Sequence, residues 1–240
     1  MLNNDFRHPA FVAREAAMLD LLTDGRFELG LGAGHAKPEY DEIGLGFDRP
    51  SVRIARLAEA VPIVKSLLAG VEVTHVGEHY RLSGHQLFPP GPLNVPLFLG
   101  GNGRRLLELA AREADTVGFT GFSARRGGAE IDLSGFGEAG AAERVAIVRD
   151  AAGERFDELE LNALLQRVVV TADPDTAARE IAEDFGLGAE QALGSPFLLL
   201  GSHESMAEQL VERRERFGFT YVTVFEDALE AFAPVVARLA

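Results

Sequence analysis

Short apolar runs alternate along the chain with longer stretches whose apolar residues recur at helical spacing. Apolar runs of this length, bounded by Gly, Pro or Asp, predict buried strands. Five such strands are predicted, at residues 26–31, 96–99, 115–119, 160–170 and 220–225. Because helical segments separate them and no break in composition divides residues 1–240, the pattern favours a single α/β domain built on a parallel sheet.

The helical stretches are predicted from an apolar residue at every third or fourth position. The first spans residues 9–22, and its predicted buried stripe contains Phe11, Met18 and Leu22. Further helices are predicted at residues 50–68, 104–114, 141–152, from 173 onward, from 202 onward and at 228–239.

Three features depart from this simple alternation. Pro62 lies inside the helix at 50–68 and predicts a kink or a restart, because proline lacks a backbone donor. Residues 71–76 and 79–82 alternate apolar and polar positions around a turn, which predicts a surface hairpin. Residues 120–140 are rich in Gly and Ser with little periodicity, and a loop of that length predicts a mobile lid over a ligand.

Two of the predicted strands run directly into glycine-rich loops that precede a helix. The loop residues are Gly32, Ala33, Gly34 and His35 after one strand, and Gly100, Gly101, Asn102 and Gly103 after the other. Backbone N–H groups at the start of a helix favour an anion, and glycine allows a ligand to approach closely. Because loops after parallel strands gather on one face, the two loops predict one ligand site.

The charge balance excludes several classes of partner. Lys and Arg number 23 against 37 Asp and Glu, which gives a net charge of −14 and opposes binding to nucleic acid or an anionic membrane. The absence of cysteine excludes disulfides, thiolate metal sites and a cysteine nucleophile. No metal site is predicted, because the histidines at 75, 79 and 85 lack a carboxylate pattern of known spacing. Without an apolar run long enough for a bilayer or a signal peptide, the expected location is the cytoplasm.

Several motifs, taken in order, resemble the luciferase-like monooxygenase superfamily, and most closely its branch of coenzyme F420-dependent oxidoreductases, which are mostly actinobacterial. The motifs are Arg7-His8-Pro9, the glycine run at 30–34, Leu99-Gly100-Gly101 before a helix, and Ala233-Pro234-Val235-Val236. The resemblance implies a TIM-type (β/α)8 barrel with a cofactor at the C-terminal ends of its strands. Relatives have about three more strands before this chain begins, so it implies an incomplete barrel of about five strands. The gap is expected between strands 26–31 and 220–225.

The resemblance also implies roles for the glycine loops. Gly100, Gly101, Asn102 and Gly103 would bind the phosphate end of F420 or, alternatively, of FMN, and Arg104 or Arg105 would either add charge there or form a solvated helix face. Gly32, Ala33 and Gly34 would face the ring of the cofactor, as would Asn3 and Asn4 at the end of a preceding strand. His35 would serve as a proton donor or, alternatively, as a wall of the pocket, since histidine titrates near neutral pH.

Three functions follow from the resemblance. The first is hydride transfer between F420 and a small organic substrate, with the cofactor supplying the chemistry. The second is an FMN-dependent monooxygenase that receives reduced flavin from a partner reductase. The third is a truncated, catalytically silent paralogue that only binds cofactor. Unpaired strand edges in an incomplete barrel also predict self-association into a homo-oligomer, such as a dimer.

Overall fold

The computed structural model describes residues 1–89, 91–125 and 130–239 of the chain. The strands are β1 (Leu2–Asn3), β2 (Leu29–Gly32), β3 (Val73–Val76), β4 (Arg81–His85), β5 (Leu97–Gly100), β6 (Thr116–Phe119), β7 (Ser123–Arg125), β8 (Glu130–Asp132), β9 (Glu160–Leu164), β10 (Arg167–Val170), β11 (Leu198–Gly201) and β12 (Phe219–Thr223). The helices are α1 (Pro9–Leu22), α2 (Lys37–Glu42), α3 (Pro50–Leu68), α4 (Arg104–Glu113), α5 (Glu138–Ala152), α6 (Pro174–Phe185), α7 (Ala189–Leu193), α8 (His203–Phe217) and α9 (Leu229–Leu239). No helix within these ranges is long and apolar enough to cross a membrane.

Six parallel strands form the central sheet, in the order β1-β2-β5-β6-β9-β12. Neighbours in the sheet follow one another along the chain with helices between them, as in a βα barrel. The predicted α/β class and parallel sheet are therefore confirmed. The sixth strand is β1, which has only two residues and was too short to predict from an apolar pattern. In the described part of the chain β1 and β12 are the unpaired edges, so the opening lies there and not beside β2.

The single long strand predicted at 160–170 is wrong. The chain forms β9 and β10 there, and the two strands belong to different sheets, because the backbone changes partners between them. The Leu165 amide donates to the Thr223 carbonyl at 2.9 Å, whereas the next amide, of Gln166, donates to the Phe197 carbonyl at 2.7 Å. From there β10 pairs in parallel with β11, a strand that the sequence pattern did not predict.

The predicted buried stripe of α1 is also wrong. Phe11, Met18 and Leu22 are 53%, 48% and 75% exposed. The buried apolar side chains of this helix are instead small, namely Pro9, Val12, Ala13, Ala16 and Ala17. Because α1 packs against α3, these alanines let the two helices approach closely, and the larger side chains remain on the outer surface.

The remaining predicted elements show a mixed outcome. The helix α3 continues through Pro62, so the predicted restart does not occur. The surface hairpin is confirmed as antiparallel β3 and β4. The predicted loop at 120–140 contains a second hairpin, β7 and β8, although residues 126–129 lie outside the described residues. Phe136, within the same predicted loop, is fully buried, and its carbonyl accepts a 2.6 Å hydrogen bond from the Ser195 hydroxyl.

Candidate active site

A row of glycines crosses the C-terminal part of the central sheet. Asn3 lies opposite Gly32 in the pairing of β1 with β2, and the register of β2 with β5 places Gly32 beside Gly100. Gly100 in turn lies opposite Gly118 of β6. A Cβ atom added to Gly32 or Gly100 would lie 3.3 Å from Cε of Met1, whose side chain extends over both glycines. The row therefore forms a floor without side chains of its own at the position where the sequence predicts a ligand, and the side chains of Met1 and Phe98 cover it.

Polar and aromatic side chains continue this row beyond the glycines. Asn162 of β9 lies opposite Gly118, and its amide nitrogen donates to the Thr223 hydroxyl at 2.9 Å. The next residue along the row is Tyr221, whose ring centre is 6.3 Å from that of Phe98. No sequence signal marks these residues, because they lie within apolar runs typical of buried strands.

Tyr221 is kept protonated by its surroundings. Burial raises the pKa of Tyr221, and the nearby carboxylates of Glu28 and Glu160 raise it further, because their negative charges disfavour a negatively charged phenolate. Glu28 accepts a 2.8 Å hydrogen bond from the Thr116 hydroxyl. Tyr221 therefore keeps its proton as a potential hydrogen-bond donor and is poorly suited to act as a base.

The loop after β2 is held in one conformation by its neighbours. Gly34 has a φ of +75°, and a Cβ atom there would overlap the Tyr40 hydroxyl and lie 2.8 Å from both end atoms of the Asn3 amide. Arg53 of α3 is 6% exposed, and its Nε lies 3.3 Å from the carbonyl oxygens of Ala33 and of Gly34. A charged residue on the apolar face of the predicted helix was a signal of this contact that the sequence reasoning missed.

Tyr40 and Asp5 connect this loop to the end of β1. The fully buried Tyr40 hydroxyl lies 3.1 Å from Oδ1 of Asn3 and 3.0 Å from Oδ2 of Asp5. Burial raises the pKa of Tyr40 to about 12, so it remains a donor. Asp5 also forms an ion pair of 2.7 Å with Arg56. Nδ2 of Asn3 is buried without a hydrogen-bond partner among the residues described, which leaves one donor available at the glycine row.

The side chain of Asn4 is directed to the β3–β4 hairpin. Asn4 is 2% exposed, and its amide nitrogen donates to the Tyr80 hydroxyl at 3.1 Å. Glu59 of α3 accepts hydrogen bonds from the backbone amides of His79 and Tyr80, at 3.0 and 2.8 Å. The hairpin, predicted as a surface excursion, therefore braces the end of β1.

The loop after β5 ends at the N-terminus of α4. The Gly101 amide donates to the Gly118 carbonyl at 3.0 Å, and Gly103 precedes the helix without a side-chain cap. Asn102 is 5% exposed, and neither atom of its amide group has a partner within the described ranges. A buried amide without partners is costly, so this arrangement fits a ligand that supplies hydrogen bonds beside an uncapped helix N-terminus.

The remaining residues predicted for the site, His35, Arg104 and Arg105, lie on the protein surface. His35 is exposed and makes no hydrogen bond with the described part of the chain. Arg104 and Arg105 are exposed as well, and Nη1 of Arg104 is 3.8 Å from the carboxylate of Glu108. No group of three or more His, Asp or Glu side chains in the described ranges is arranged to hold a metal ion.

Comparisons with known proteins identify the family of this chain. Residues 1–193 match the family model described as luciferase-like monooxygenase. The F420-dependent glucose-6-phosphate dehydrogenase of Nakamurella multipartita is 31% identical over 171 residues, which make up 70% of this chain and 46% of that protein. The FMNH2-dependent dimethylsulfone monooxygenase of Pseudomonas fluorescens is 30% identical over 186 residues, 77% of this chain and 50% of that protein.

A solved structure supports the same fold. The coenzyme F420-dependent tetrahydromethanopterin reductase of Methanopyrus kandleri superposes with a TM-score of 0.74 at 17% identity, covering 100% of this chain and 82% of that chain. The two curated relatives, by contrast, are about twice as long as the matched region, so the chain spans about half the length of each.

Proposed function

Because the chain belongs to the luciferase-like monooxygenase family, we propose that it is an oxidoreductase that binds coenzyme F420 at the C-terminal ends of β1, β2 and β5. The reaction is hydride transfer between the deazaflavin ring and a small organic substrate. F420-dependent enzymes among its relatives support this choice of cofactor. The activity, substrate and partners of the whole protein are part of the proposal, since the chain covers about half of those relatives.

The observation that carries the proposal is the buried, unpartnered amide of Asn102 beside the uncapped N-terminus of α4. F420 and FMN both carry a phosphate group, whose oxygens accept hydrogen bonds from amide N–H groups and from the first turn of a helix. Gly103 leaves the backbone of this loop open to close approach, since a Cβ atom added there would meet nothing within 4 Å, whereas Met1 lies beside Gly100 and Leu106 beside Gly101. These residues would therefore hold the phosphate end of the cofactor.

The glycine row would support the ring of the cofactor. Gly32 and Gly100 have no side chains of their own, so a planar ring system could lie against the backbone there once the Met1 side chain, which covers both glycines, moves aside. Asn3 provides the unpartnered Nδ2 donor at the edge of this floor, and Ala33 and Gly34 are fixed in place by Arg53. When bound, the cofactor supplies the hydride carrier, and the protein supplies position and exclusion of water.

His35 is the proposed proton donor or acceptor of the reaction. It follows the Gly34 turn on the exposed rim of the site, where its ring can reach a substrate that enters from solvent. Histidine exchanges protons near neutral pH, which suits proton transfer to or from an organic substrate. Asp5 and Tyr40 are engaged with each other deeper in the structure and would serve as supports.

A second candidate is an FMN-dependent monooxygenase supplied with reduced flavin by a partner reductase. The dimethylsulfone monooxygenase relative aligns with 77% of this chain and favours that alternative. FMN would need the same glycine row for its ring and the same loop for its phosphate as F420, because both cofactors combine a tricyclic ring with a phosphate. The two functions are therefore distinguished by binding rather than by the geometry of the site.

Titration of the purified protein with F420 and, separately, with FMN tests these functions. Tight binding of F420 with much weaker binding of FMN is the expected result, measured by the change in cofactor absorbance or fluorescence. The opposite preference would replace F420 by FMN. Binding without turnover of any substrate class would favour the catalytically silent paralogue, and binding of neither cofactor would contradict the proposed function altogether.

A further inference from the structure

Arg144 of α5 is a buried cation directly behind the loop that follows β5. It is 8% exposed, and its Nη atoms donate to the Gly140 carbonyl at 3.1 Å and to the Ser134 hydroxyl at 2.7 Å. Its Nε is buried and has no hydrogen-bond partner in the described part of the chain. The carboxylate of Glu143 lies 3.5 Å from Nη1, but that side chain is 65% exposed and is therefore a weak counter-ion.

Gly135 brings Arg144 together with Asn102, although the two residues belong to different elements. A Cβ atom added to Gly135 would overlap Nε of Arg144 and lie 2.5 Å from Oδ1 and 2.8 Å from Nδ2 of Asn102. The unpartnered Nε and the unpartnered amide therefore adjoin the same point of the backbone. Asn102 in turn stands immediately before the uncapped N-terminus of α4.

We infer that Arg144 and Asn102 form the inner, charged part of a site for a phosphoryl group, with Arg144 as its cation. This inference rests on the proposed function and assigns a residue that the glycine loop alone does not supply. Guanidinium Nε–H, amide N–H and the first N–H groups of α4 are all donors, and phosphoryl oxygens accept from all of them. One phosphoryl group would thus satisfy several buried donors that are costly to leave unpaired.

The two arginines that the resemblance implies as a possible source of charge are less suited to this role than Arg144. Arg104 and Arg105 are exposed on α4, where water and salt weaken their attraction for an anion. Arg144 is enclosed, so its charge acts through a medium of lower polarity and its direction is fixed by Ser134 and Gly140. Burial and orientation therefore favour Arg144 as the residue that recognises phosphate.

The turn at residues 133–137 lies over this pair of side chains. Its Phe136 is attached to the body of the protein through the hydroxyl of Ser195, whereas Ser134 is held by Arg144 itself. When a phosphoryl group takes the Nε donor, Ser134 and Gly135 must shift while Phe136 stays in place. Binding of phosphate would therefore reorganise only the first half of this turn.

The test compares cofactors with and without their phosphate. The dissociation constants of FMN and riboflavin give the gain in affinity that the phosphate provides, and those of F420 and its deazariboflavin core give the gain from the phosphate together with the tail attached to it. In Arg144→Gln this gain is expected to fall roughly 10- to 100-fold, the size of a lost charge-assisted hydrogen bond, with the affinity for riboflavin or the deazariboflavin core unchanged. The matched control Arg104→Gln, which removes an exposed charge from the first turn of α4, should change the gain less than about threefold.

A second variant keeps the inference testable if Arg144→Gln does not fold. Asn102→Asp keeps the size of the side chain and offers Arg144 a carboxylate partner. The melting temperature of the free protein should therefore stay the same or rise, while the affinity gained from phosphate disappears. A merely structural role would not move stability and binding in opposite directions. The inference would be overturned if Arg144→Gln lost affinity equally for ligands with and without phosphate. It would also be overturned if Arg104→Gln reduced the gain from phosphate as much as Arg144→Gln does.

Inorganic phosphate separates this inference from the proposed function. If neither cofactor binds, phosphate should still raise the melting temperature of the wild-type protein above that in chloride of equal ionic strength, and Arg144→Gln should reduce the difference to the non-specific effect of a kosmotropic salt. Absence of a phosphate effect in the wild type would refute the anion site. A cofactor that binds equally well with and without its phosphate would leave the proposed function standing and remove Arg144 from it.

Discussion

Gly34 is the residue at which the candidate site leaves least room for a side chain. Its φ of +75° is unfavourable for any other residue, and the Tyr40 hydroxyl occupies the space of a Cβ atom. Tyr40 is tied to Asn3 and Asp5, so it cannot move aside without disturbing the end of β1. Tyr40 thus connects the loop after β2 to the end of β1.

Gly34→Ala should destabilise the protein by about 2–4 kcal/mol, because backbone strain and overlap with Tyr40 add together. The matched control is Gly44→Ala, since Gly44 has a similar φ of +72° but no atom within 4 Å of an added Cβ. That variant should lose only about 1 kcal/mol from strain. Urea unfolding of both variants measures the difference, and equal losses would show that the contact with Tyr40 is unimportant.

His35→Ala tests proton transfer at the rim of the site. Because His35 is exposed and makes no hydrogen bond to the described residues, the variant should keep the stability of the wild type. Turnover is expected to fall about 10²- to 10⁴-fold, with the affinity for the cofactor nearly unchanged. Steady-state kinetics and cofactor titration measure the two quantities, and parallel losses of both would mean that His35 only shapes the pocket.

At the scale of elements, the β3–β4 hairpin is attached to α3 through one carboxylate. Glu59 accepts hydrogen bonds from two backbone amides of the hairpin and lies 2.9 Å from Nε2 of His75. Tyr80, positioned by those bonds, holds the amide of Asn4. An element distant from β1 in sequence therefore supports the end of that strand.

Glu59 predicts a dependence of stability on pH. Burial raises its pKa, but the hydrogen bonds from His75 and from the amides of His79 and Tyr80 outweigh burial, so the pKa lies below 4.5. A lowered carboxylate pKa stabilises the fold above the unfolded value, and the contribution is lost as pH falls through the folded value. Glu59→Gln should cost about 1–2 kcal/mol at neutral pH.

The difference in unfolding free energy between Glu59→Gln and the wild type should narrow as pH falls below 4.5. Glu72→Gln is the control, because Glu72 is exposed on the same hairpin region and should leave the pH profile unchanged. Denaturant unfolding at a series of pH values provides the measurement. A constant difference across the whole range would show that the carboxylate charge does not contribute to attaching the hairpin.

At the scale of the whole molecule, apolar surface and open backbone coincide on one part of the protein. Leu22 of α1 is 75% exposed, and Met18 and Leu19 beside it are 48% and 43% exposed. The strand that precedes this helix, β1, is an edge of the central sheet. Exposed apolar helices and unpaired edges favour association with another chain, whereas the net charge of −14 opposes it.

Concentration-dependent self-association is therefore expected, and it should strengthen as salt screens the negative charges. Leu22→Lys should weaken it without lowering the stability of the monomer, because the side chain is exposed. Leu45→Lys is the control, since Leu45 is 42% exposed but lies outside α1. Sedimentation at several protein and salt concentrations measures the degree of self-association of the wild type and both variants. A monomer under all conditions would contradict the prediction.

The sequence by itself determined the parallel α/β architecture, the positions of most strands and helices, and the two glycine loops at one edge of the sheet. It could do so because periodicity and turn residues act locally, and because loops after parallel strands must emerge on the same side. The family resemblance extended the prediction to the cofactor class. Gly32, Gly100 and Asn3 accordingly lie side by side in the structure.

Only the tertiary structure decided which partner each segment meets. Alanines of α1 face α3 while Leu22 faces outward, since close helix packing outweighed the burial of a larger side chain. Residues 160–170 divide because neighbouring backbone groups find different partners, at Thr223 and Phe197. Arg144 of α5 lies behind the glycine loop because the turn at Gly135 brings it next to Asn102. Such choices depend on contacts between residues distant in sequence, which a local pattern of apolar and polar positions does not encode.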